Sequence, residues 1–366
     1  RFDDDVRRLT VLLFMLGYGL VTIPSVLYSG SIAVLRLFDV PALFDLPYSQ
    51  ALTLTIVMIG STGALYAVFG GLKAIAVSDT LNGMGLLLIG LLVPLLGLSA
   101  LGNGSVGDGL HIVANTHTEK LNAVGGPSDP TPFATLFTGM IFANLFYWCT
   151  NQYVIQRTLA AKNLAEGQKG VLFSGFFKVL VPFIMMLPGV IAFHLYGAVG
   201  SETGLAPIDL AYPQLIRDVL PVYAMGFFLA VLLGAVFSSF NSLLNSAATL
   251  FCLDVYVPYK ERQGQQHVSD EKVLKMAKRA SIVIALFSFV VAPMLQFAPD
   301  GLWQIIRVFT GFYNIPVIAI VIVGLFAPQV PALGPKLVIC FHILVYGLLK
   351  FVFDEEQKEF DFHQHE

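Results

Sequence analysis

The sequence predicts an all-α polytopic membrane protein, and two observations lead to this fold class. Hydrophobic residues make up 56% of the 366 residues, charged residues only 12%, and the mean hydropathy is +0.75, whereas a soluble domain carries about a quarter charged residues. The charges are concentrated in short segments between long apolar runs, as expected where each spanning helix needs roughly 20 apolar residues. These runs are too long for transmembrane strands, so the spans should be helices.

Nine apolar runs predict about nine transmembrane helices. Residues 102–131, rich in Gly, Asn, Asp and Pro, are predicted as an extracellular loop, and the charged residues 256–280 as a cytoplasmic loop. Lys and Arg are concentrated in every second connection, which predicts that the N-terminal end of the chain is cytoplasmic. The runs cover residues 9–36, 50–69, 74–101, 132–156, 170–198, 221–251, 281–298, 302–327 and 336–353.

Several other classes of protein find no support in the composition. The net charge is −3 and no basic face is present, so no nucleic-acid partner is expected. The three cysteines lie in or at the end of apolar runs without a pairing pattern, which predicts no disulfide. A membrane-embedded enzyme would need paired acids, a histidine cluster or an activated nucleophile at membrane depth. His194 and His342 are each isolated in their runs, so no enzymatic activity is expected, and no obligate protein partner is evident.

Lys178 is a charged residue inside an apolar run. It lies about nine residues into GVLFSGFFKVLVPFIMMLPGVIAF, roughly 12 Å deep at 1.5 Å per residue. A cation at that depth costs at least about 2.5 to 3.5 kcal/mol on insertion scales, so a compensating contact is expected. Either the side chain snorkels toward the cytoplasmic surface, or it serves a substrate cavity or a structural hydrogen bond, which its depth favours.

The preceding run carries a polar and aromatic pattern in FANLFYWCTNQ. Asn144, Tyr147, Trp148, Asn151 and Gln152 are spaced by three, four, seven and eight residues, so they would share one face of a continuous helix. An amide beside aromatic rings suits a sugar, because it offers hydrogen bonds to hydroxyl groups and a flat apolar surface to the ring. The alternative is that these residues only hold neighbouring helices together.

The run that contains GAVFSSFNSLLNSAATLF carries a stripe of small and polar side chains. Its members follow offsets of three, four, seven, ten, eleven and fourteen residues, so they share one helix face. Small residues are typical of close helix packing in membranes, but hydroxyl and carbonyl oxygens also suit Na+, which the adjacent pair of serines favours. The stripe consists of Ala235, Ser238, Ser239, Ser242, Asn245, Ser246 and Thr249.

Two further charged residues lie near the ends of their runs. Asp79 is either an anion favoured by the positive end of a helix dipole or a carboxylate of an ion pathway. Arg307, in LWQIIRVFTGFYNIP, either snorkels outward or faces a cavity. The residues alone leave both pairs of alternatives open.

Longer stretches of the sequence resemble a known family. YWCTNQYVIQRTLAAKNLAEGQKG, the lysine run with VPF and LPG, and LNSAATLFCLDVY are similar to the solute:sodium symporter family, especially its bacterial sodium/galactose-type members. The resemblance extends from Arg1 to about residue 353. It implies a LeuT-type fold of two inverted five-helix repeats. Residues 1–101 would be the remainder of the first repeat in an N-terminally truncated chain, 132–327 the second repeat and 336–353 an additional helix.

The same resemblance implies roles for single residues. Asn144 and Lys178 match ligands of sugar hydroxyl groups, and Tyr147 matches the inner gate stacked on the sugar, with Trp148 beside it. Arg307 stands where the galactose-type members have a glutamine, and a guanidinium suits carboxylate, phosphate or sulfate groups better than a neutral hydroxyl. The implied sodium ligands are Ala235, Ser238 and Ser239, and an additional sodium site would comprise Asp79, Asn241 and Ser242.

The resemblance therefore implies sodium-coupled symport of a sugar across the plasma membrane by alternating access. Na+ would be the coupling ion, and the other partners would be a small-molecule sugar or related solute and the lipid bilayer. One alternative is a symporter for an acidic or sulfated sugar or another organic anion, which Arg307 favours. An alternative of another class is a sensor or channel without transport activity.

Overall fold

The computed structural model describes residues 2–126, 132–197, 210–265, 268–297 and 301–353. All regular secondary structure in these ranges is helical, which confirms the predicted fold class. The first eight α-helices are α1 (Asp4–Leu16), α2 (Ile23–Phe38), α3 (Val40–Phe44), α4 (Tyr48–Leu101), α5 (Val106–Asn115), α6 (Gly139–Cys149), α7 (Gln152–Leu159) and α8 (Leu164–Lys178). The remainder are α9 (Leu187–Tyr196), α10 (Ala211–Val219), α11 (Val222–Phe251), α12 (Val257–Arg262), α13 (Asp270–Val291), α14 (Gly301–Phe326) and α15 (Leu333–Leu348).

Short π-helical or 3-10 segments continue several of these helices. Gly17–Thr22 joins α1 to α2, Pro182–Met186 leads into α9, and Cys252–Tyr256 joins α11 to α12. Ala292–Phe297 follows α13 and Leu349–Phe353 follows α15. Local sequence explains several helix starts. The side chain of Asn163 accepts a hydrogen bond from the backbone N–H of Glu166 at 2.9 Å and so caps the first turn of α8.

Seven helical stretches in the described residues are long and apolar enough to cross a bilayer. An eighth is a bent pair, Leu164–Lys178 with Pro182–Tyr196, at an angle of 44°. Pro182 lacks a backbone N–H, which is a sufficient cause for this bend. The seven stretches are Asp4–Phe38, Tyr48–Ala67, Val77–Leu101, Val222–Arg262, Asp270–Phe297, Ile306–Phe326 and Leu333–Val352.

The predicted second and third spans are parts of one helix. α4 has 54 residues, which corresponds to a length of about 80 Å, far more than the roughly 30 Å of a hydrocarbon core. It contains two separate apolar stretches, Tyr48–Ala67 and Val77–Leu101. Each of the two predicted runs therefore corresponds to one stretch of α4 that is long enough to cross the membrane.

The predicted fourth span, residues 132–156, differs from a single helix. The 3-10 segment Phe133–Phe137 and the helices α6 and α7 divide it, because Thr138 leaves the helical region of backbone space and Asn151 is extended, with φ −71° and ψ 117°. The interpretation that Asn144 and Asn151 share one face of a continuous helix is therefore wrong. Asn151 lies at the break and belongs to a different environment.

Helices also occupy much of the two predicted loops. α5 and the 3-10 turn Thr118–Leu121 lie within 102–131, of which residues 127–131 are outside the described part. Within 256–280, α12 extends to Arg262 and α13 begins at Asp270. Periodicity did not predict these segments, because their polar residues resemble loop composition.

α11 lies at the centre of the molecule and packs against α2, α4 and α13. Close helix contact requires glycine at particular points. A Cβ atom on Gly30 of α2 would lie 2.5 Å from the Val236 side chain of α11, and one on Gly109 of α5 would lie 1.9 Å from the Leu98 carbonyl oxygen of α4. One apolar core surrounds α11 near Phe240, and a second joins the C-terminal half of α4 to α9 and α10.

Candidate functional site

Lys178 lies directly over the ring of Trp148. Its ammonium nitrogen is 4.0 Å from the centre of that ring, and the Tyr147 ring meets the Trp148 ring edge to face, with centroids 5.0 Å apart. A cation over an aromatic face is worth about 0.5 to 2 kcal/mol, depending on how far it is desolvated. α6 supplies both rings and α8 the cation, so the structure brings together three of the predicted solute-binding residues and gives Lys178 a compensating contact.

Asn144 lies one helical turn before Trp148 in a groove on the surface of α6. Its amide nitrogen donates a hydrogen bond to the Met140 carbonyl oxygen at 2.8 Å, which points the amide along the helix. The groove has a volume of about 460 Å³, and among the described residues its lining comes from α6 and the segment before it and includes neither Tyr147 nor Lys178. Its lining is apolar except for the amide and the indole: Leu136, Met140, Ile141, Asn144, Leu145, Trp148 and Cys149.

Two hydrogen bonds surround the break between α6 and α7. The Tyr147 and Tyr153 hydroxyl groups are 2.6 Å apart. The Tyr18 hydroxyl, on the π-helical segment after α1, donates to Asn151 Oδ1 at 2.6 Å in a fully buried position. Tyr18, Tyr153 and this role of Asn151 were missed by sequence reasoning. The only sequence signal for these contacts was that tyrosines and amides are close together in the chain. The contacts themselves form across a break in the helix, which helical periodicity does not predict.

Arg307 lies in the first third of α14, which packs against α6. It is half-buried. α14 also packs against α15. That Arg307 contacts a solute stays a prediction.

The predicted sodium ligands Ala235, Ser238 and Ser239 lie on consecutive turns of α11. Ala235 and Ser238 are half-buried and Ser239 is exposed. The Ser238 carbonyl oxygen accepts a hydrogen bond from the Ser242 hydroxyl at 2.7 Å. α11 is a regular helix through this region, so it offers the two serine hydroxyl groups as ligands. These neutral oxygens have the chemistry that a hard cation prefers.

Asp79, Asn241 and Ser242 lie where α4, α7 and α11 meet. Arg157 of α7 donates hydrogen bonds to both Asp79 Oδ2 and the Ser242 hydroxyl. Arg157 is not among the residues that the sequence predicts for this site, so the pairing was missed. The other carboxylate oxygen of Asp79 and both amide atoms of Asn241 are buried without a hydrogen-bond partner among the residues that the structure describes.

Gln156 strengthens the attachment of α7 to α11. Its side-chain oxygen accepts a hydrogen bond from the Ser246 hydroxyl at 2.8 Å, one turn from the contact between Arg157 and Ser242. Ser246 is completely buried. Two consecutive side chains of α7, Gln156 and Arg157, therefore tie this short helix to one face of α11, on which Ser242 and Ser246 are four residues apart.

The helical spans define a multi-pass membrane protein, and polar side chains cluster at several of its helices. The sequence profile of the Sodium:solute symporter family matches residues 1–335. The chain belongs to this family, which confirms the resemblance seen in its motifs.

Individual relatives agree with this assignment. The chain is 43% identical over 363 residues to a protein of Escherichia coli strain K12 described as "Uncharacterized symporter YidK", covering 99% of the chain and 61% of that protein. It is 30% identical over 370 residues to the "Sodium/glucose cotransporter" of Vibrio parahaemolyticus, covering 96% of the chain and 65% of the relative. The chain thus spans less than two thirds of the length of both proteins.

A solved structure shares the fold. It is described as the substrate-bound outward-open state of a Na+-coupled sialic acid symporter, and it matches with a TM-score of 0.68 at 20% sequence identity. The match covers 95% of this chain and 75% of the other. This similarity confirms the predicted all-helical, LeuT-type fold.

Proposed function

We propose that the protein to which this chain belongs is a sodium-coupled symporter of a sugar, located in the plasma membrane with the N-terminal end of this chain in the cytoplasm. The observation that carries the proposal is the cluster of Lys178, Trp148 and Tyr147, with Asn144 one turn away. Aromatic faces, an ammonium group and an amide together match the apolar face and the hydroxyl groups of a sugar. The family and the sodium/glucose relative support the same reading.

In this mechanism no covalent bond is made or broken. Na+ binds at the hydroxyl groups of Ser238 and Ser239, with Ala235 beside them, and stabilises the conformation in which the solute site is open to the outside. The solute then binds at Asn144 and Lys178, and Tyr147 closes over it. Because each ligand favours the same conformation, Na+ and solute bind cooperatively, which is the linkage on which symport depends.

The direct test is uptake of radiolabelled sugars by the full-length protein in proteoliposomes under an imposed Na+ gradient. Uptake that stops when the gradient is dissipated supports symport. Absence of uptake of any sugar, with correctly inserted protein, contradicts it and favours a sensor. Conduction of Na+ without solute would instead indicate a channel.

The sodium site has its own test. Ser238→Ala and Ser239→Ala should each shift the Na+ concentration for half-maximal uptake upward before solute binding weakens, because each removes one ligand. Ser174→Ala is a matched control, since Ser174 is an exposed serine of α8 whose hydroxyl bonds only locally, to the Val171 carbonyl oxygen. An unchanged Na+ activation curve in both α11 variants would contradict the assignment.

The solute site is tested at Lys178. Lys178→Met keeps an unbranched side chain, one atom shorter, but removes its charge. Uptake should therefore fall by about tenfold or more while the fold persists, because the residue is exposed. Lys169→Met makes the same change on α8 at an exposed residue paired with Glu166, and uptake should be retained. Equal uptake by the two variants would remove Lys178 from the solute site.

Arg307 supports a second candidate, a symporter for an acidic or sulfated sugar or another organic anion. A guanidinium always carries its charge and recognises carboxylate and sulfate groups with two parallel hydrogen bonds. Competition between neutral and anionic sugars in wild-type protein and in Arg307→Gln separates the two. If the variant loses a preference for anionic sugars, Arg307 binds the anionic group of the solute. If the preference is unaltered, Arg307 has a structural role.

A further inference from the structure

α13 has one packed face and one exposed face. Ser281, Ala285 and Ser288 are buried, and their spacing of four and three residues places them on one side of the helix, which packs against α2, α4 and α11. The other side carries large apolar side chains that are 46 to 68% exposed: Ile282, Val283, Leu286, Phe287 and Val290. On a helix that crosses a membrane, such an apolar face contacts the acyl chains of lipids.

The exposed face continues toward the start of α13 as a row of cations. Lys272, Lys275 and Arg279 are all exposed. They precede Ile282 by ten, seven and three residues, which are helical spacings, so they lie on the same face as the exposed apolar side chains. These three cations, called the basic row below, make the exposed face of α13 positive at one end and apolar along the rest.

The charges of the basic row are not offset by the protein. None of the ion pairs between residues that the structure describes involves a member of the row. By contrast, Lys336 at the start of α15 is paired with Asp3 and Asp5, at 2.7 and 3.1 Å. Asp270 and Glu271 lie in the first turn of α13, where the positive end of the helix dipole favours them. The basic row is therefore available to an anion from outside the chain.

The length of α13 matches one leaflet of a bilayer. From Arg279 to Val290 the helix rises by about 16 Å, close to half of the roughly 30 Å hydrocarbon core. From Lys272 to Arg279 it rises by about 10 Å, enough to span the headgroup region. A phospholipid lying along this face would place its acyl chains on the apolar side chains and its phosphate group among the three cations.

Charge decides which molecule covers the face. A two-fold contact with a second copy of the chain would bring the two basic rows together, and like charges repel. A zwitterionic lipid has no net charge to offset the row. An anionic phospholipid does, and each Lys or Arg near a membrane surface raises the affinity for anionic lipid by about fivefold.

We propose that the basic row of α13 binds the phosphate group of an anionic phospholipid, whose acyl chains lie on the apolar side chains that follow the row. Arg279 is the cation nearest those side chains, and its guanidinium can donate two parallel hydrogen bonds to a phosphate. Lys272 and Lys275 act as point charges farther into the headgroup region. The site is separate from the solute and sodium sites and does not depend on the proposed symport.

The test is quenching of tryptophan fluorescence by brominated phospholipids in the full-length protein, reconstituted in bilayers of phosphatidylcholine. Leu286→Trp places an indole about 10 Å beyond Arg279, at the depth of the acyl chains, and the signal of the parent protein is subtracted. Brominated phosphatidylglycerol, which is anionic, should quench this indole more strongly than the same fraction of brominated phosphatidylcholine. The ratio of the two binding constants should fall about fivefold when Lys275→Gln is added. It should fall to about one when all three cations are replaced by Gln.

Two control variants separate the basic row from general effects of charge and depth. Leu344→Trp on α15 is 66% exposed before substitution, compared with 58% for Leu286. It lies about 12 Å beyond Lys336, whose charge Asp3 and Asp5 already offset, so the two lipids should quench it equally. Lys162→Gln removes one charge from an exposed residue between α7 and α8, and it should leave the ratio at Leu286→Trp unchanged.

Several outcomes would overturn the proposal. Equal quenching of Leu286→Trp by the two lipids is one, and an anionic preference that survives the loss of all three cations is another. A preference of the same size at Leu344→Trp would show that the attraction is not specific to α13. Absence of quenching by either lipid would indicate that protein, such as a second copy, covers this face. If the triple variant does not insert, Lys275→Gln alone decides, and an unchanged ratio contradicts the site.

Discussion

The buried polar residues of α11 and the polar residues of α6 and α8 lie in different environments. Asn241 and Ser246 of α11 are 0% exposed, whereas Tyr147 and Trp148 of α6 are 37% and 43% exposed and Lys178 of α8 is also exposed. Asn241 and Ser246 therefore lie inside the packed core, although Ser239 of the same helix is exposed, and the α6–α8 region presents its polar groups at a surface. Substitutions in α11 should alter folding and ion binding together, while those in α6 and α8 should alter solute binding with little effect on stability.

The largest expected difference between the regions comes from removing a phenyl ring. Phe240→Ala in α11 should lower the free energy of unfolding by about 3 to 5 kcal/mol, because the ring is fully buried and its removal leaves a cavity. Phe173→Ala in α8 should cost less than about 1 kcal/mol, since this ring is 63% exposed and mainly contacts Phe177. Unfolding of both variants in detergent measures the difference, and equal losses would abolish the distinction.

A smaller effect is expected from single hydroxyl groups near the break. Tyr18→Phe leaves the buried Asn151 oxygen without its donor, so it should destabilise the protein by about 1 to 3 kcal/mol. Tyr147→Phe removes a hydrogen bond at an exposed position and should cost under about 1 kcal/mol while changing solute affinity. Melting temperatures of both variants measure the stability losses, and binding isotherms measure the change in solute affinity. A stability loss in Tyr147→Phe as large as in Tyr18→Phe would contradict the division of roles.

A substitution at Asn241 is expected to increase stability, in contrast to those above. Asn241→Leu replaces two buried, unpaired amide atoms by an apolar side chain of similar size, so in sodium-free buffer it should raise the unfolding free energy by about 1 kcal/mol. Asn144→Leu, at an exposed site on α6, is the control and should change it by less than about 0.5 kcal/mol. Destabilisation by Asn241→Leu would indicate that the amide is paired in the folded protein.

The smallest effect concerns the contact between the start of α1 and the start of α15. The hydrogen bond from the Lys336 ammonium group, together with that from the Val6 backbone N–H, lowers the pKa of the Asp3 carboxyl. A group with a depressed pKa adds stability above its unfolded value of about 3.9 and loses that contribution as the pH falls through the folded value. Asp3→Asn should therefore lower the melting temperature slightly at neutral pH and not at strongly acidic pH; the same decrease at both would contradict this.

Much of the candidate site was predictable, because a polar or charged side chain deep in an apolar run costs free energy unless a contact compensates it. Such residues therefore stand out in the sequence. Lys178 was found in this way, and the structure adds the Trp148 ring as its partner. The assignment of Ser238, Ser239 and Arg307 to ligands stays a prediction, as do the predicted orientation in the membrane and the boundaries of the two repeats. Tyr18 and Arg157 escaped notice because their partners are far away in the sequence.

The sequence by itself determined the helical class, the positions of eight of the nine predicted spans and the family, because the bilayer requires long apolar helices and the motifs are contiguous. Only the tertiary structure decided that residues 132–156 break at Asn151, since a buried hydrogen bond from Tyr18 stabilises that break. It also decided that Arg157 lies on Asp79 and Ser242. Such pairings depend on how three helices meet in space, and helical periodicity carries no information about contacts between helices.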